Sequence, residues 1–306
     1  MFNKLPKSAR IIEVGPRDGL QNEKVILNCS QKEKFIDMLV DAGLKTIEVT
    51  SFVRADKIPQ MGDAVDLYKV IKDKDYFGAV HLPTLVPNLK GMEIAVKSGV
   101  SEIAIFTSTS NTFNQKNINA TIEESIERFR PVVELAKQNG IKVRGYISTV
   151  FGCPYEGETS VEVLMDLLKS LKEMGCYEIS LGDTIGVANP LQVKNILERV
   201  FKEFSSDEIA MHFHDTRGLA LANILASLEM GATNFDSSAG GLGGCPYAKG
   251  ATGNVATEDV VYMLESMGIS TGVDIKKLSA ASEYILSSLN KVSASKYLTA
   301  YLASGK

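Results

Sequence analysis

Two histidines one residue apart, His212 and His214, are the residues of this chain best suited to chemistry. In an extended strand alternate residues share a face, which would set their Cα atoms roughly 6–7 Å apart on one side. Turned into a protein interior, such a pair needs a hydrogen-bond partner or a cation. With a carboxylate such as Asp18 it makes a usable ligand set for a divalent metal. The third histidine, His81, stands alone and reads as structural or peripheral. Arg17 directly precedes Asp18 in Gly15-Pro16-Arg17-Asp18-Gly19. An arginine buried beside such a site must be paired, and Glu48, set in the otherwise β-branched run Thr46-Ile47-Glu48-Val49, is the obvious carboxylate to orient it. As sequence neighbours, Arg17 and Asp18 are expected to diverge and to do different jobs. Asp183, after a glycine and before Thr184, is a candidate substrate contact or second carboxylate.

A further concentration lies at residues 240–254, GGLGGCPYAKGATGN, with glycine at 240, 241, 243, 244, 250 and 253. Such density permits close approach to a ligand at a cost in chain entropy that a mere connector has no reason to bear. A thiol placed there, Cys245, reads as a reagent rather than as packing.

These residues need elements to position them. Short β-rich runs at 10–14, 46–49, 77–82, 102–106, 142–147, 177–181, 208–213 and 233–236 alternate with helical patterns. Ser30 with Glu33, Thr121 with Glu124 and Thr159 with Glu162 have capping-box spacing, and Asn189-Pro190 reads as an N-cap followed by proline. Val161, Leu164, Leu167, Leu168, Leu171 and Met174 form one helical stripe ending at Gly175. Gly43, Gly99, Gly140 and Gly231 close other helices. Strand–helix alternation implies parallel pairing, and eight units match a closed (β/α)₈ TIM barrel with an additional C-terminal helix, one domain over 1–306. No strand is followed by a GxGxxG or GxxxxGK[ST] turn, which weakens an open doubly wound sheet. In a barrel, chemistry gathers where strands end, and Asp18, Glu48, Asp183, the histidines and the cysteine segment all fall there.

Composition narrows the class. The 306 residues are 44% hydrophobic and 23% charged, typical of a globular protein. A formal net charge of −4 argues against nucleic acid as partner. No apolar run is long enough for a membrane span or a signal peptide. Cys29, Cys153, Cys176 and Cys245 lie far apart with no CxxC pair, which fits reduced thiols and a cytoplasmic location.

Together EVGPRDGLQNE (13–23), IEVTSFV (47–53), PNLKG (87–91), RGYIS (144–148), GCPYEG (152–157), CYEISLGDTIGV (176–187), HFHDTRGLALAN (212–223) and GLGGCPYAKGATGNVATED (241–259) carry a family resemblance over nearly the whole chain. The chain resembles the hydroxymethylglutaryl-CoA lyases, within a wider group of metal-dependent barrels that make or break C–C bonds beside a carbonyl. The resemblance implies Asp18, His212, His214 and Asn254 as ligands of Mg²⁺ or Mn²⁺. It implies retro-Claisen cleavage of 3-hydroxy-3-methylglutaryl-CoA to acetyl-CoA and acetoacetate. Asp18 or His212 would take the C3 hydroxyl proton, Arg17 held by Glu48 would stabilise the enolate oxygen, and Cys245 would protonate the enolate carbon. Lys24 is a candidate contact for the CoA phosphates and Asp183 for the substrate. A homodimer is the family expectation. The tail KVSASKYLTAYLASGK lacks the further cysteine that some members use for regulatory thiol exchange. Isopropylmalate and homocitrate synthases share the barrel and the His-x-His pair but lack GLGGCPYAKGATGN. A metal-binding barrel without catalysis has no use for Arg17, Glu48 and Cys245 together.

Overall fold

The structure, a computed structural model, describes residues 5–244 and 253–305. Among them, parallel strands β1 (Arg10–Glu13), β2 (Thr46–Ile47), β3 (Thr50–Ser51), β4 (Thr84–Leu85), β5 (Glu102–Ser108), β6 (Lys142–Ser148), β7 (Glu178–Asp183), β8 (Ile209–Phe213) and β9 (Asn234–Ser237) form one sheet. Its order is β2-β1-β9-β8-β7-β6-β5-β4-β3. The two ends of that order are halves of one extended stretch. Between them Glu48 N donates to Glu13 O at 2.8 Å and Val49 N to Pro83 O at 3.1 Å, so pairing continues on both sides. The sheet therefore closes into the expected (β/α)₈ barrel, with Glu48 at the seam.

Helices α1 (Cys29–Asp41), α2 (Ala64–Lys72), α3 (Leu89–Ser98), α4 (Asn111–Ile118), α5 (Ile122–Gln138), α6 (Val161–Met174), α7 (Pro190–Val200), α8 (Ala220–Glu229) and α9 (Thr257–Ser266) accompany the strands. Helices α10 (Ile275–Ser288) and α11 (Lys296–Ala303) follow, two where one additional helix was expected. The short α4, capped by Ser110 Oγ accepting from Phe113 N at 3.0 Å, was not foreseen either.

Local chemistry accounts for most boundaries. Thr121 Oγ1 accepts from Glu124 N at 3.1 Å while Glu124 Oε2 accepts from Thr121 N at 2.8 Å, a complete capping box. Asn189 accepts from Gln192 N at 3.0 Å ahead of Pro190. The stripe of α6 ends at Gly175 in the left-handed region. Two expected caps are displaced. Asn28 with Gln31, rather than Ser30 with Glu33, opens α1. Ser160 opens α6, while the Thr159 hydroxyl donates to Val150 O at 2.9 Å. Serine, threonine and asparagine cap comparably well, so spacing alone does not choose between neighbours. The third strand also differs: residues 77–82 begin as a turn. Gly78 takes φ +87°, and Ala79 N and Val80 N both donate to Tyr76 O. Extended pairing starts only at His81, whose carbonyl accepts from Ile47 N at 2.9 Å.

Apolar packing is concentrated between sheet and helices, where Phe35, Ile36, Leu67, Phe129, Leu168 and Val260 are essentially inaccessible. Inside the barrel only small clusters are apolar, such as Ile12, Val14 and Ala210. Arg144, Glu178, Ser180 and Asp236 are buried polar residues on strands β6, β7 and β9.

Candidate active site

The chain leaves β1 through a wide helical turn, Gly15–Gly19, with Pro16 near its start. Gly15 N donates back to Glu13 Oε1 at 2.7 Å. This compact turn overrides the divergence expected of neighbours: Arg17 NH1 meets Asp18 Oδ1 at 2.8 Å. Arg17 NH2 pairs with Glu48 Oε2 at 2.7 Å across the seam. Burial acts to lower the Arg17 pKa, but the charges of Glu48 and Asp18 raise it further, so the guanidinium stays protonated. Its Cζ also sits 5.6 Å from the centroid of the Tyr146 ring, with the Arg144 Cζ at 4.6 Å from the same ring. The Tyr146 hydroxyl is buried with no hydrogen-bond partner among the described residues.

His212 lies near the end of β8 and His214 just beyond it, their ring centroids 5.2 Å apart. Ligand atoms of Asp18, His212 and His214 all lie within 4.8 Å of one another. Asn254 forms a bridge with His214, and its Nδ2 donates to Asp18 Oδ2 at 2.7 Å and to Leu242 O at 3.2 Å. Asn254 Oδ1 and His214 Nδ1 are buried without partners among the described residues. Orphaned buried polar atoms beside a carboxylate call for an ion or water, and two imidazoles, a carboxylate and an amide oxygen suit Mg²⁺ or Mn²⁺. Burial would raise the Asp18 pKa, but Arg17, His212 and His214 together lower it, which keeps the carboxylate charged. Burial pushes His214 down to about 4, so it is neutral and can offer a lone pair at pH 7. His212 is raised, because the hydrogen bond and charge of Asp236 outweigh its burial.

The cysteine-bearing segment is pinned at both feet. At its start, Ala239 N donates to Glu13 Oε1 at 2.9 Å and Gly240 N to Glu258 Oε1 at 2.9 Å. Gly240 has φ +67°, and a Cβ there would lie 2.9 Å from Leu286 of α10. Ala294 N donates to Gly240 O at 3.1 Å, so the appended C-terminal segment braces this foot. At the far end, Asp215 N donates to Gly253 O at 2.9 Å and Val255 N to Phe213 O at 3.1 Å. Cys245 itself lies outside the described residues.

The structure thus brings Arg17, Asp18, Glu48, His212, His214 and Asn254 together. Asp183 is buried at the end of β7 with both oxygens engaged: Oδ1 accepts from Val187 N at 2.9 Å and Oδ2 from Ala188 N at 3.1 Å. Burial pushes its carboxyl up to about 6. Lys24 is exposed on the surface. His81 pairs with Glu102 Oε2 at 3.1 Å and has a side chain 48% exposed, away from the cluster. Reading the sequence alone missed Tyr146, Arg144 and Asp236. The alternation Arg144-Gly145-Tyr146 in a barrel strand was the one available signal.

Such a cluster on a closed parallel barrel defines a class: enzymes whose chemistry is gathered at the strand ends around residues able to hold a divalent cation. The HMGL-like family model matches residues 8–285, and the chain belongs to that family. The human mitochondrial hydroxymethylglutaryl-CoA lyase is 52% identical over 292 residues, 95% of this chain and 89% of that protein. The structure of hydroxymethylglutaryl-CoA lyase from Pseudomonas aeruginosa is similar at TM-score 0.95 and 49% identity, covering 98% of this chain and 99% of that one. An HMG-CoA lyase from Acinetobacter baumannii, solved with coenzyme A and 3-methylmalate, is similar at TM-score 0.91 and 37% identity, covering 96% and 95%.

Proposed function

We propose that this chain is a carbon–carbon lyase that cleaves 3-hydroxy-3-methylglutaryl-CoA to acetyl-CoA and acetoacetate, using Asp18, His212, His214 and Asn254 to hold Mg²⁺ or Mn²⁺. The observation that carries the reading is the convergence of Asp18, His212 and His214 within 4.8 Å, next to the Arg17–Glu48 ion pair. When bound, the cation supplies Lewis-acid stabilisation of charge on the substrate's C3 oxygen.

Asp18 takes the C3 hydroxyl proton, because His212, the other candidate, has Nδ1 against Asp236 and would give its remaining nitrogen to the cation. The C2–C3 bond then breaks, C3 becomes the ketone of acetoacetate, and the electron pair passes into the acetyl-CoA enolate. Arg17, fixed by Glu48 and Asp18, offers its N–H groups to the enolate oxygen. The Cys245 thiol gives its proton to the enolate carbon; a thiol with the reference pKa of about 8.5 is mostly protonated at neutral pH. Asp183 holds the loop after β7 through two backbone donors, and in this reading supports the substrate pocket rather than titrating. Lys24 is assigned to the CoA phosphates, where an exposed cation suits an anion.

The chain is read as one domain, a homodimer and cytoplasmic; Cys29, Cys153 and Cys176 are all free thiols, as a reducing compartment requires. The decisive experiment incubates the protein with 3-hydroxy-3-methylglutaryl-CoA, with and without Mg²⁺ or Mn²⁺, and assays acetoacetate. Metal-dependent acetoacetate formation is expected. Its absence with either ion would overturn the assignment.

A further inference from the structure

Five charged or ring side chains interlock through the barrel. Arg10 of β1 pairs with Glu178 Oε2 of β7. Glu178 Oε1 accepts from Arg144 Nε at 2.7 Å. Arg144, wholly buried on β6, donates through NH2 to Asp236 Oδ1 of β9 at 2.7 Å. Asp236 Oδ2 accepts from Ser180 Oγ at 2.7 Å and meets His212 Nδ1 at 3.2 Å. The column Arg10–Glu178–Arg144–Asp236–His212 therefore ends at one of the two imidazoles of the site. His214 differs, because its Nδ1 is buried without a partner.

This asymmetry has a chemical meaning. Asp236 faces the Arg144 guanidinium and the Ser180 hydroxyl, both donors, so it stands as an acceptor. The contact with His212 Nδ1 is then a hydrogen bond only if Nδ1 carries the proton. That tautomer leaves the lone pair on Nε2, the form a cation requires. We propose that Asp236 is a positioning residue: it locks His212 in the Nδ1–H tautomer and presents Nε2 to the cation, while Arg144 and Glu178 hold Asp236 in register. The proposal rests on the reading of Asp18, His212 and His214 as a cation site. A network that served only to fill the barrel would leave the cation affinity unchanged when its link to His212 is altered.

Asp236→Asn separates the two roles. Arg144 must keep an acceptor, so the amide oxygen turns to Arg144 and the amide N–H₂ faces His212. A donor there forces Nδ1 to accept and moves the proton to Nε2. Long-range ¹H–¹⁵N spectra of the ion-free protein read this directly. In the unsubstituted protein His212 should be protonated at Nδ1, and in Asp236→Asn at Nε2. Mn²⁺ affinity, titrated by electron paramagnetic resonance, should fall roughly 10–100-fold in the variant. Ser180→Ala leaves the carboxylate in place and should keep both the tautomer and the affinity. If Asp236→Asn does not fold, the ion-free spectrum of the unsubstituted protein, taken at a pH where His212 is neutral, still decides: a proton on Nε2 with none on Nδ1 overturns the proposal. So does a folded Asp236→Asn with unchanged tautomer and Mn²⁺ affinity. A locked Nδ1–H tautomer in a protein that binds no Mn²⁺ would instead overturn the cation reading, and with it the purpose assigned to Asp236.

Discussion

Arg17 is held by two carboxylates and stacked beside Tyr146, so its guanidinium is fixed before any substrate arrives. A preorganised donor of this kind acts on charge that develops during reaction. Arg17→Gln should therefore lower kcat about 10²–10³-fold, worth about 3–4 kcal/mol, with KM changed only a few-fold. Steady-state kinetics at saturating Mn²⁺ check it; an effect confined to KM would make Arg17 a substrate-binding residue instead. At this scale the sequence was most legible where chemistry depends on short spacing. His212, His214 and the Arg17-Asp18 pair could be named because few residue types in so few positions serve any other purpose. Tyr146 and Asp236 could not, because their partners lie on other strands: Asp236 meets Arg144 across 92 positions and His212 across 24.

Among the elements, the turn after β9 illustrates what patterning leaves hidden. Glu13 and Glu258 sit in a strand and a helix that read as ordinary, yet both are buried and both clamp the same backbone. Burial pushes the Glu13 carboxyl up to about 8 and that of Glu258 to about 7, from an ordinary value of 4.5. The unfolded chain releases these protons near 4.5 while the folded protein retains them, so stability should fall as pH rises from about 4.5 to about 8. Glu13→Gln should flatten that fall. Its Oε1 can still accept from Gly15 N and Ala239 N, and its amide can donate to Thr257 Oγ1 where Glu13 Oε2 accepts at 2.7 Å. Denaturant melts across this pH range test it; an unchanged slope would relieve Glu13 of the role. Strand 77–82 was misread for a related reason. Its composition is β-like, but a single left-handed Gly78 outweighs that preference.

For the whole molecule, a cation held by Asp18 in the turn after β1, by His212 and His214 at the end of β8 and by Asn254 would tie together parts of the chain far apart in sequence. A ligand that binds only the folded state adds about 2.7 kcal/mol at one hundred times its Kd. Saturating Mn²⁺ should therefore raise Tm by about 4 °C, and a chelator should reverse the gain. Indifference of Tm to both would contradict the ligand set. The barrel was legible as eight alternating units, while the second appended helix was not, because α10 and α11 pack on the outside of a fold already complete in number.

Closure of the sheet through β1 and β9 also orders events in time. Arg10 and Asn234 are 224 positions apart, and Asp18 and Asn254 are 236 apart. Contacts this remote carry the largest loop-closure cost, so they are expected to form late, after local helices and neighbouring strand–helix units. During refolding from denaturant, helical signal should return first and Mn²⁺ binding last, which would make the Asp18, His212, His214 and Asn254 cluster an internal clock for completion of the barrel.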